Sequence, residues 1–145
     1  MTQKRIGVDL RCLSNLTLRF MENKANKKYV DNITGTNGWI IGYISDHSDR
    51  DIYQRDLEEE FSITRSTASK VVNLMVRKGL IVRQSVTHDA RLKKLVLTDK
   101  ALDIAKLMDQ DGENLEKTLR QGFSDDEIET LHRFLERLKK NLSEA

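Results

Sequence analysis

The sequence has no proline, a single cysteine and few aromatic residues (6%). No apolar run approaches the length of a membrane span. Without proline, the chain must be punctuated by Gly, Asn, Asp, Ser and Thr. A lone cysteine, Cys12, excludes an internal disulfide framework and fits a reducing compartment. The opening residues, through Lys4, Arg5, Asp9 and Arg11, lack the apolar stretch of a secretory leader, so a cytoplasmic location is expected. Internal repeats and low-complexity tracts are also missing. What remains is 145 residues, 38% apolar and 33% charged, enough for one domain around one core.

Charge is scarce in sum but not in distribution. Residues 1–61 carry 9 Lys/Arg against 10 Asp/Glu, net −1. Residues 62–100 carry 9 against 2, net +7, and residues 101–145 carry 7 against 11, net −4. A compact basic block in an otherwise acidic chain points to a surface for a polyanion, nucleic acid above all. The alternative is a solvated basic face.

Helical spacing of Leu10, Leu13, Leu16 or Thr17, Phe20 and Met21 predicts one long helix from about Val8 to Asn32. Thr34 to Gly38 breaks it. A second helix carries Trp39, Ile40, Tyr43 and Ile44, and a polar loop spans Asp46 to Asp51. A short helix is expected from about Tyr53 to Phe61. Thr64 is a plausible N-cap for the next, which stops at Gly79. The period then changes. Residues 80–86 and 92–97 read as strands joined by Thr87-His88-Asp89-Ala90-Arg91. Thr98 caps a helix to about Gln121, and Ser124 with Glu127 forms a capping box opening a last helix to about Leu142. The fold class expected is mainly α, an α+β winged helix-turn-helix with six helices and a two-stranded wing. As one domain over 1–145, it places dimerisation helices at 1–34 and 99–145 around a DNA-binding lobe at 35–98.

On a wheel of 100° per residue, the helix starting at Arg65 has two unlike sides. Ala68, Val71, Val72, Leu74 and Met75 form a core stripe. Arg65, Ser66, Ser69, Lys70, Asn73 and Arg77 form a polar arc without an acid, on which Val76 is the sole apolar residue. A solvent-facing helix usually mixes in Glu or Asp. Arg and Lys suit guanine edges, Asn suits adenine, and short Ser and Thr side chains permit close approach. The candidate DNA-reading residues on this element are therefore Thr64, Arg65, Ser66, Thr67, Ser69, Lys70, Asn73 and Arg77. Around the hairpin tip, His88, Arg91, Lys93 and Lys94 add donors suited to phosphates or to a narrow minor groove. Asp89 is either a turn residue or a holder of Arg91.

The ordered series Ile63-Thr64-Arg65-Ser66-Thr67-Ala68-Ser69-Lys70-Val71-Val72, Lys78-Gly79-Leu80-Ile81-Val82-Arg83, Asp89-Ala90-Arg91 and Leu97-Thr98 resembles the MarR family of multiple-antibiotic-resistance-type regulators. The motifs cover about Tyr53 to Lys100. The resemblance implies a bacterial homodimer of winged-helix subunits on a near-palindromic operator in double-stranded DNA, expected as a repressor with an activator as the alternative. It implies Arg91 as the minor-groove arginine with Asp89 as its positioning partner, and Ser66, Ser69 and Lys70 in the major groove. The family often has proline near the start of the second helix, where this chain has Thr36-Asn37-Gly38.

In the last helix Ile128, Leu131, Leu135, Leu138 and Leu142 alternate spacings of three and four, a seam suited to another helix. With Leu10 and Leu13 of the first helix they are the expected dimerisation residues; an intrachain bundle is the alternative. No enzyme constellation appears, and no catalytic residue, metal site or cofactor is expected. His47, His88 and His132 fall in separate elements, and Asp46, His47, Asp49 and Asp51 read as a capped polar loop. Phe20, Trp39 and Tyr43 are candidate lining for a small aromatic or other effector, or plain core. Cys12 is a candidate redox switch, though Leu13-Ser14-Asn15-Leu16 supplies none of the aromatic company expected after a sensing thiol; a buried or bystander thiol is the competing reading. A redox-switched regulator and a winged-helix interaction module without DNA binding are the two rival functions.

Overall fold

The computed structural model describes residues 3–24 and 26–145. In chain order the elements are α1 (Ile6–Glu22), α2 (Lys27–Thr34), α3 (Gly38–Asp46), α4 (Gln54–Phe61), α5 (Arg65–Arg77), β1 (Ile81–Val86), β2 (Asp89–Leu97), α6 (Asp99–Arg120) and α7 (Asp125–Ser143). The order is that of a winged helix-turn-helix flanked by helices.

Among the described residues there are seven helices where the periodicity suggested six. The expected helix from Val8 to Asn32 is two. Asn23 caps the end of α1 and Asn26 the start of α2. Asn is a weak helix former because its side chain offers the backbone other partners. Here the Asn26 amide donates to the Leu107 carbonyl at 3.3 Å, a tertiary bond that a continuous helix does not provide for. The two halves differ in burial. α1 buries no residue, whereas α2 buries Val30 and Thr34, the latter with its hydroxyl on the Val30 carbonyl at 2.8 Å.

Gly35 ends α2 in the left-handed region at φ +61°, its N–H on the Asp31 carbonyl at 2.8 Å. Asp56 accepts from the Tyr53 N–H at 2.8 Å at the start of α4. Thr64 caps α5, and Gly79, at φ +72°, turns the chain from α5 into β1.

The hairpin also differs from expectation. The turn is only Thr87-His88, and β2 begins at Asp89 rather than Leu92. Ser85 pairs with Lys93 but Val86 pairs with Asp89, so Ala90, Arg91 and Leu92 form a bulge on β2. A local pattern of alternation does not reveal such a register shift. Two strands alone are marginal. These are anchored by the Leu95 N–H donating to the Ile52 carbonyl at 2.7 Å and by Thr98 N–H on Leu80 at 3.1 Å.

The chain divides into two compact units, one running to Gly112 and the other from Glu113 to Ala145. In the first, one core gathers Ile40, Ile41 and Ile44 of α3, Ile52, Leu57 of α4, Val72 and Met75 of α5, Leu80, Ile81 and Leu95 at the base of the hairpin, and Ala101, Ile104 and Ala105 of α6. At about 1.5–3 kcal/mol per buried large aliphatic side chain, this cluster supplies the main drive for folding. In the second unit α7 opens with the reciprocal box: Glu127 N–H on Ser124 Oγ at 3.2 Å and Ser124 N–H on Glu127 Oε1 at 2.9 Å.

Candidate nucleic-acid interface

α5 presents its two sides as its sequence dictates. Ala68, Val72 and Met75 are buried, and Val71 and Leu74 are half-buried. Val76, apolar on the polar arc, packs against the edge of the core. Arg65, Ser66, Thr67, Lys70, Asn73 and Arg77 are exposed and Ser69 is half-buried. At the N-terminus Thr64 Oγ1 accepts from the Thr67 N–H at 3.2 Å and lies 2.9 Å from Thr67 Oγ1 and 3.1 Å from Ser66 Oγ. These hydroxyls stand at the positive end of the helix dipole, where an anion is favoured.

Beside that end lies a groove of about 430 Å³ between α4, the start of α5 and the hairpin. Arg55, Arg65, Arg83, Arg91 and Lys93 all line it, with Glu58 as the acid among them. Gathering five cations around one cleft is unfavourable until a polyanion fills it. Arg65, Arg91 and Lys93 were expected from sequence; Arg55 and Arg83 were not. Arg55 directly precedes an acidic stretch, Asp56 to Glu60, that masks it in any local charge count. Arg83 also sets α5 against the wing, its Nη2 donating to Asn73 Oδ1 at 2.6 Å. Asn73 is thus bound through its acceptor, while a bidentate adenine contact needs donor and acceptor together.

The remaining wing residues separate. Lys93 donates to Ser85 Oγ at 2.6 Å, but Lys94 lies 3.5 Å from Asp51 in the loop before α4, on the other face of the hairpin. His88 is exposed in the turn. Asp89 Oδ1 accepts from the Arg91 backbone N–H at 2.9 Å, so it fixes the chain at the tip rather than the guanidinium.

The MarR family model matches residues 31–92, which take in α3, α4, α5, β1 and most of the tip. The transcription regulator MarR of Oenococcus oeni PSU-1 is 31% identical, over 94% of this chain and 99% of that one, with a TM-score of 0.75. The chain belongs to the MarR family. An uncharacterised HTH-type transcriptional regulator, YybA of Bacillus subtilis (strain 168), is 25% identical over 124 residues, 86% of this chain and 82% of that protein. A MarR family regulator of Listeria monocytogenes, solved with a 26mer DNA, shares the fold at 22% identity over 98% of this chain and 91% of that one, TM-score 0.77.

The protein is thus a MarR-family transcription regulator with a winged-helix DNA-binding fold, in a family that is generally non-enzymatic. No helix among the described residues is long and apolar enough to cross a membrane. No group of three or more His, Cys, Asp or Glu stands ready for a metal among them. In the loop of Asp46 to Asp51, His47 Nδ1 donates to the Tyr43 carbonyl at 2.8 Å and Asp51 faces Lys94.

The other named residues in this MarR protein fall as follows. Leu10 and Leu13 are exposed on α1. On α7, Ile128 is buried, Leu135 and Leu138 are half-buried, and Leu131 and Leu142 are exposed. Cys12 is a free, exposed thiol rather than a buried one. Of the aromatic trio, Trp39 and Tyr43 meet on Phe61, with ring centroids 4.4 Å and 5.6 Å from it, and Phe20 stands apart. Phe20 lies under the Lys24 amine, and Tyr43 is buried beside His47 and Phe61 with Arg50 donating to its hydroxyl at 2.8 Å. Trp39 lines a cavity of about 290 Å³, shared with Met21, Val30 and Met108.

Proposed function

We propose that this regulator is a cytoplasmic homodimeric repressor of a near-palindromic operator. The exposed face of α5 enters the major groove, with Ser66, Ser69 and Lys70 toward the bases. The wing lays Arg91 toward the minor groove. The observation that carries the reading is the single groove lined by Arg55, Arg65, Arg83, Arg91 and Lys93 beside an acid-free helix face. The fold shared with a regulator solved on a 26mer DNA supports it.

Residues 35–98 serve as the DNA-binding lobe, and 1–34 and 99–145 as dimerisation helices. Support for the dimer is apolar surface that the single chain leaves open: Ile6, Val8, Leu10, Leu13, Leu16 and Leu18 on α1, and Leu131, Phe134 and Leu142 on α7. A two-fold axis sets two copies of α5 about 34 Å apart, one turn of DNA, or a multiple. A small organic effector in the Trp39 cavity releases the operator by favouring a spacing that mismatches it.

The test is fluorescence anisotropy on a duplex selected from bacterial genomic fragments, titrated across a salt series. Affinity is expected to fall steeply and linearly on logarithmic axes as counterions are released. A flat salt response, or no binding at low ionic strength, overturns the reading.

A further inference from the structure

Among the described residues, Asp111 on α6 is the one buried charged side chain, 8% exposed, and it makes no hydrogen bond or ion pair there. It lines the Trp39 cavity, whose apolar walls are Met21, Val30, Trp39 and Met108. Lys27 and Asp31 also line this cavity, but they form an ion pair with each other. The cavity therefore holds one uncompensated carboxylate inside apolar walls. The carboxylate oxygens still touch solvent, since no buried side-chain oxygen or nitrogen among the described residues lacks a partner, and an occupant that supplies a cationic donor gains a charge-assisted hydrogen bond there.

The chemistry of the walls narrows that occupant. An anion meets the Asp111 carboxylate, and a neutral apolar molecule leaves it unpaired. A cationic amine pairs with it at one end and rests an apolar body on the others. Trp39 attracts a cation through its ring face, and the Met21 and Met108 thioethers pack well against an aromatic ring. A cavity of about 290 Å³ is at the small end for ligand sites, fitting one ring and a short chain.

We propose that this cavity binds a small monocationic arylalkylamine, its ammonium on Asp111 and its ring against Trp39 and Met108. The proposal deepens the effector part of the function above and rests on that reading only for its consequence at the operator, not for binding.

The experiment uses the full chain without DNA. Trp39 is the sole tryptophan, so its emission reports on the cavity directly. The probes are 2-phenylethylammonium, its neutral analogue 2-phenylethanol, and phenylacetate. The cation should perturb Trp39 emission saturably and bind about tenfold or more tighter than the alcohol, with phenylacetate weakest. Asp111→Asn should erase the advantage of the cation over the alcohol. Equal affinity for cation and alcohol, tighter binding of phenylacetate, or no saturable response to the cation at millimolar concentration overturns the proposal. So does a folded Asp111→Asn protein, by circular dichroism, that keeps the preference. If that variant does not fold, the charge series on the unaltered chain decides. Because no duplex is present, a chain that fails to bind DNA can still pass this test, and the reverse.

Discussion

Arg91 and Asp89 show how one hydrogen bond assigns roles. The Asp89 side chain holds the Arg91 amide, not its guanidinium, so it shapes the tip and leaves the arginine head available for the proposed contact with DNA. Two predictions follow from that geometry. Arg91→Ala should weaken duplex binding about tenfold, the scale of one lost charge contact, with the fold unchanged. An unaltered anisotropy titration would remove Arg91 from the interface. Asp89→Asn keeps the oxygen that accepts from the backbone and should bind DNA nearly as the parent does, whereas Asp89→Ala should not. If Asn and Ala lose affinity equally, the charge of Asp89 matters and the turn account is wrong. Arg83 is a further lesson at this scale. Its contact with Asn73 joins residues ten apart on different elements, which no helical wheel displays.

At the level of elements, the caps do what their residue types require. Ser124 and Glu127 satisfy each other's N–H groups at the start of α7. Ser124→Ala should cost about 1 kcal/mol, read as a lower midpoint in urea denaturation at unchanged slope. No shift in midpoint would mean that α7 is held without its cap. Such local signals made most of the fold legible. Thr64, Gly79, Thr98 and Ser124 marked boundaries within a residue or two, because capping is settled by neighbours in sequence. The end of α1 at Asn23 and the start of α2 at Asn26 were hidden because apolar spacing persists up to them and the Asn26 contact, the Leu107 carbonyl, is remote in the chain. The bulge at Ala90, Arg91 and Leu92 was hidden because register belongs to a pair of strands and not to either. The basic block pointed to most of the cations of the groove, yet Arg55 lay outside it. Folding alone brings that residue from an acidic helix to the groove.

For the whole molecule, α1 poses the main question. Seventeen residues form a helix in which none is buried. Most helical stability in proteins comes from packing an apolar face, so the exposed leucines of α1 favour a partner surface. If α1 joins the proposed dimer, Leu13→Lys, placing a charge on the exposed apolar face, should shift the protein from dimer to monomer in sedimentation velocity while its helical circular dichroism largely persists. A dimer that survives this change would put the interface elsewhere. DNA affinity should fall with it, since two linked half-sites bind far better than one.

The bond from the Leu95 amide to Ile52 has a dynamic consequence. It makes the foot of the wing part of the same cooperative unit as the core, while the turn at Thr87-His88 has no such tether. Amide hydrogen exchange should therefore be graded along the hairpin. Leu95 should exchange only through global opening, and the amides nearest the turn through cheap local fraying. Uniform protection from foot to tip would mean that the wing moves as one rigid piece. A graded wing can adapt its tip to the local width of a duplex without loosening its seat on the protein.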